Sequence, residues 1–160
     1  MPNPKNNASS RLPVYFLLFV LAIGLLWLKS SYGKLTGGVF VDGLGKTLTM
    51  FASKNPYPWY KDFLTQIAIP NSKTFGLLTM WGEFFAAVSI TISSIILIAT
   101  RGNKLIKAIL LLGLLGGAFL NAIFWLAAGW TSASTESLNL LMLILQVIGA
   151  FAVAKSLTKF

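Results

Sequence analysis

Residues 74–100, TFGLLTMWGEFFAAVSITISSIILIAT, form an apolar run long enough to cross a bilayer as a helix, interrupted near its start by the carboxylate of Glu83. A helix rising about 1.5 Å per residue needs roughly 20 residues to span the hydrocarbon. A charged side chain at that depth is costly, so it faces a protein interior, finds a partner and often marks a functional site. The rest of the chain has to supply that partner.

Composition sets the class. Of 160 residues 56% are hydrophobic and only 11% charged, with mean hydropathy +0.75, values that fit an integral membrane protein and no ordinary soluble domain. Cysteine and histidine are both absent. That removes disulfides, thiol redox chemistry, zinc or iron–sulfur ligation and a histidine proton relay, so no protein-ligated metal is expected. Four runs are long enough to span, giving an all-α bundle of four transmembrane helices at about 12–30, 74–100, 106–129 and 136–155. Lys5 and Arg11 precede the first run, but it exceeds a signal-peptide core and no small-residue cleavage site follows, so it is read as a retained span. Residues 1–11, polar with two prolines, are expected to be disordered and cytoplasmic.

Charge bias in the short connections decides orientation. Arg101, Lys104 and Lys107 crowd the turn between spans two and three, whereas GWTSASTES (129–137), between spans three and four, holds no cation. Both termini are therefore expected in the cytoplasm of a plasma-membrane protein. Between spans one and two, residues 36–70 carry Phe40, Leu44, Leu48 and Phe51 at helical spacing, which predicts an amphipathic helix at the outer interface. Pro56 and Pro58 break it, and a second short helix is expected from about Trp59 to Ile67. This segment would cover the outer membrane face as a lid. Its lysines make a solvated or lipid-contacting face, or else steer a small anion.

Depth and helical face supply candidates for the site. Glu83 lies about 13 Å into span two from Thr74, and Asn121 about 12 Å into span three from its outer end. Asn139 and Gln146 stand two turns apart on one face of span four, and Gly24, Trp27, Ser31 and Lys34 form a stripe on span one. Lys34 is the nearest cation to Glu83. The polar residues of four helices are thus expected to meet at one level, with Glu83 and Lys34 catalytic and Asn121, Asn139 and Gln146 binding ligand. Asn and Gln also serve as interhelical hydrogen-bonding glue, and Glu83 also fits a structural ion pair. Trp81 and Trp125 are deep enough to wall a flat ring or simply to pack. Gly113 and Gly117 read as a close-packing face, and 134–136 as a helix cap followed by an acid.

Several short stretches carry a family likeness. SYGKLTGG (31–38) after the first span, the Gly82–Glu83 pair in the second, the cationic turn RGNK (101–104) and GWTSASTESLNLLMLILQ (129–146) leading into the fourth together resemble the DoxX/DoxD-like membrane proteins. The likeness runs from about residue 14 to 155. It implies a four-helix membrane subunit like that of thiosulfate:quinone oxidoreductase, with a quinone as acceptor and a small companion subunit or soluble redox partner. Lys34 and Glu83 fall at the family's polar positions, with Asn121 and Asn139 matching more loosely. The aromatic segment before span two is longer than in short DoxX relatives. Besides the lipid bilayer and such a subunit no nucleic-acid partner is expected, and oligomeric state is left open. Two other functions compete: a non-catalytic scaffold that docks redox or stress-response proteins, and a small-solute transporter, which the lack of paired broken helices in two related halves disfavours.

Overall fold

The computed structural model describes residues 12–100 and 104–158, so the N-terminal tail (1–11) and the first three residues of the RGNK turn lie outside the described residues. Four long helices form where the sequence is apolar without interruption: α1 (Val14–Thr36), α4 (Ser72–Thr100), α5 (Lys104–Ala128, then a 3-10 turn to Thr131) and α6 (Ala133–Leu157). Between α1 and α4 lie α2 (Phe40–Ser53) and α3 (Pro58–Phe63), the latter running into a π-helical turn over Leu64–Ala68. Among the described residues there is no strand. The protein is an all-α, four-helix membrane bundle.

Two apolar surfaces account for this arrangement. Leu17, Val20, Trp27, Ile90, Leu97, Leu110, Leu114 and Val153 make a close-packed interior, while Leu112, Phe119 and Phe151 point outward and are more than 60% exposed. Helices apolar on both faces belong in lipid. Lipid offers no hydrophobic drive for helix association, so small residues are placed where backbones approach closely. A Cβ on Gly113 would come within 3.3 Å of the Ile90 backbone nitrogen, and one on Gly24 within 3.0 Å of that of Thr91.

α1 ends at Thr36, a turn and a half past the limit at 30 expected from hydropathy. Lys34 lies in the added turn and is satisfied inside the bundle, so its charge does not end the span. Gly38, at φ +68°, then turns the chain in a conformation that glycine tolerates and side chains do not. α2 crosses α4 so closely that a Cβ on Gly76 would lie 3.1 Å from the Val41 Cα. The second lid helix extends past its predicted end because the π turn absorbs one extra residue before Pro70. Lid side chains reach the C-terminal part of α5. Asn55 Nδ2 donates to the Leu126 carbonyl at 3.0 Å, and the Tyr60 hydroxyl donates to that of Ile123 at 3.2 Å. At the other end of α5, Lys107, counted from sequence as a turn cation, is buried in the first turn. Ser132 caps α6, its hydroxyl accepting from the Thr135 amide at 3.1 Å, two residues before the position expected, and Glu136 occupies the first turn.

Candidate functional site: an ion pair beneath an apolar cavity

Glu83 is fully buried, and its partner is Lys34. The ammonium approaches both carboxylate oxygens, at 2.7 Å (Oε1) and 2.6 Å (Oε2). One turn before Lys34, Ser30 closes a three-membered network: its hydroxyl donates to Glu83 Oε2 at 3.0 Å and its oxygen accepts from Lys34 Nζ at 3.1 Å. The lysine side chain stays 22% exposed while that of the glutamate is 0% exposed. Charge-assisted hydrogen bonds of this kind are among the strongest in proteins, and a carboxylate at this depth requires them. Phe40 and Phe124 flank the ammonium, with ring centroids 5.2 and 6.0 Å from Nζ, within reach of cation–π attraction.

Lys34 also forms part of the wall of a cavity of about 780 Å³ enclosed by the lid, α4 and α5. Phe40, Leu44, Leu48 and Phe51 of α2 form one side, Tyr60 and Leu64 the roof, and Leu78, Gly82, Gly116 and Phe124 the far side. The amphipathic stripe read from the sequence is therefore turned toward the bundle. Polar groups on this wall are few: Lys34, Thr47, Thr79, Asn139 and Tyr60, whose hydroxyl is already committed to Ile123. Burial pushes the Tyr60 phenol up to about 12, so it remains a neutral donor at ordinary pH.

The remaining candidates do not all face this cavity. Asn121 Nδ2 donates to Gln146 Oε1 at 2.7 Å in the closed core, and neither lines the cavity. Gln146 Nε2 and Trp27 Nε1 find no partner among the described residues and both crowd the bare Cα of Gly117, where a Cβ would strike the Gln146 amide. Asn139 borders the cavity, but its amide donates to the Thr135 carbonyl of its own helix at 2.8 Å. Trp81 is 44% exposed on the lipid face, stacked on Phe85 with ring centroids 5.9 Å apart. Trp125 packs on Tyr57 at 6.1 Å, and neither tryptophan reaches the cavity wall. Polar groups at equal depth separate because a helix directs residues around its whole circumference, and depth alone does not fix the angle.

Sequence reasoning passed over Ser30, Asn55, Tyr60 and Phe124. Ser30 carried a usable signal, since it lies four residues before Lys34 and so on the same face. Comparison with protein-family models, with curated proteins and with solved structures finds no match to this chain.

Proposed function

We propose that the chain is a membrane redox subunit that binds a quinone in the cavity under the lid and supplies protons for its reduction from the Lys34–Glu83 pair. The observation that carries this reading is a large apolar cavity whose wall includes Lys34, the ammonium of an ion pair with the buried Glu83. Small-molecule sites commonly have this character, with an apolar lining and a few placed polar groups. The pair is neutral overall, so it favours a neutral head group with hydrogen-bond acceptors over a fatty acid or other anion. A quinone is such a group, and its reduction takes up two electrons and two protons.

The roles of the protein's own residues follow from the distances. Lys34 Nζ holds Ser30 by its longest contact, 3.1 Å, and can turn that N–H toward a ring oxygen while keeping both carboxylate contacts. Glu83 is the proton-exchanging group, with Ser30 orienting Oε2. The lid's packed apolar side keeps bulk water from the cavity and strengthens each polar contact within. The electron donor remains the one implied by the DoxX/DoxD resemblance, a small sulfur anion such as thiosulfate. Two thiosulfate ions joined through a new S–S bond release the two electrons the ring needs. A companion subunit or soluble partner would present the donor, and the lid would face outward, with both termini in the cytoplasm.

Extraction of the protein purified in mild detergent tests the reading directly. Near-stoichiometric quinone is expected; reproducible soluble partners without quinone would instead favour a docking scaffold. Glu83→Gln keeps shape and hydrogen bonds while removing the titration, so quinone reduction should fall by about 10²–10⁴-fold, the usual loss for an acid–base group. Full turnover in this variant, with the parent's pH profile, would show that Glu83 is not the proton donor.

A further inference from the structure

The cavity has exposed apolar residues on its lipid-facing rim. On the lid side its wall includes Leu44, Leu48 and Tyr60, each less than 10% exposed, with the exposed Thr47 among them. On the opposite side the same cavity is bounded by Leu78 and Phe119, which are 63% and 66% exposed on the lipid-facing surfaces of α4 and α5. Between them the rim is formed by Gly116, exposed and with nothing within 4 Å of where its Cβ would stand. These residues lie in the apolar interior of their spans, so the opening meets hydrocarbon and not water.

We propose that this opening is a lateral portal, and that the natural ligand is a neutral carbonyl-bearing ring with a long isoprenoid or alkyl tail. The ring lies against Lys34, whose partner Glu83 stands behind it, and the tail leaves past Gly116 into the bilayer. Hydrogen-bonding chemistry supports the head group, since the cavity presents the Lys34 ammonium as a donor while its charge is already matched by Glu83 behind it. Size supports the tail: about 780 Å³ holds a substituted ring and the first tail units, and a longer chain has to emerge. The lid does not offer the tail a path past Asn55 and Tyr60, which anchor it to α5. This rests on the quinone-site reading above and adds the ligand's form and route.

The test uses the protein in lipid nanodiscs of fixed composition, with quenching of tryptophan fluorescence by two quinones that share a ring, one tailless and one carrying a long tail. Gly116→Phe fills the portal without touching backbone, and Gly33→Phe is its control, an exposed glycine of α1 outside the cavity with equally open space. Gly116→Phe should weaken the long-tailed probe by about tenfold, the order expected when apolar tail contacts are lost, while the tailless probe changes less than about twofold. Gly33→Phe should alter neither. Equal loss of both probes, or no loss of the tailed one, would overturn the portal while leaving the ring site standing. If the parent bound neither probe, the ring site itself would fall and the portal with it.

Discussion

Glu83 shows how one residue can be read from sequence in kind but not in detail. A carboxylate in an apolar run demands a partner, and Lys34 was the nearest cation by depth. The pairing depends on α1 continuing through Lys34, and the third member, Ser30, is in place because it lies one turn earlier on the same helix. Removing one side of a buried pair leaves an uncompensated charge, which costs more than the pair contributes. Lys34→Met should therefore destabilise the protein by about 3 kcal/mol, and Lys34→Met with Glu83→Gln should recover most of it. Thermal unfolding in detergent measures both; a double variant no more stable than Lys34→Met would mean that the network matters for reasons other than its charge. The exposed Lys73–Asp42 contact, at 3.3 Å with both side chains largely in solvent, should contribute little by the same measurement.

At the scale of elements, the lid is the part whose existence was legible and whose seating was not. Phe40, Leu44, Leu48 and Phe51 recur at helical spacing, and that stripe requires an apolar surface to cover. The pattern cannot say whether the surface is lipid or protein. Asn55 and Tyr60 decide it by capping carbonyls near the end of α5. The Tyr60 phenol titrates higher in the folded protein than the ordinary 10.0, reaching about 12. The fold thus favours the protonated form, so its contribution is complete below pH 10.0 and is lost as pH rises through about 12. Protease sensitivity of the lid should increase over that window in the parent. In Tyr60→Phe the pH dependence should vanish, with a constant loss of about 1 kcal/mol for the missing hydrogen bond. A parent lid equally resistant at both ends of the window would show that the phenol does not hold it.

For the whole molecule, orientation is expected from the charge of the short connections and not from packing, since the same bundle fits either way up. Cysteines introduced at Ser53 and Ser132 should both react with an impermeant reagent from outside intact cells, and one at Thr158 only after lysis. The reverse pattern would put the lid in the cytoplasm and its lysines against anionic lipid. Sequence by itself determined the class, the four spans, the interfacial segment and the demand that Glu83 be paired, because each follows from local quantities: apolar length, helical period and the cost of charge in hydrocarbon. Only tertiary structure decided which polar residues share a site. Asn121 and Gln146 turn inward to each other, Trp81 turns to lipid, and of the candidate residues Lys34 and Asn139 reach the cavity wall, with Glu83 behind Lys34. The physical reason is angular. Depth along a span is fixed by counting residues, whereas the direction of a side chain depends on how each helix is rotated against its neighbours, and that rotation is set by close contacts at Gly24, Gly76, Gly113 and Gly117 made between residues distant in the chain.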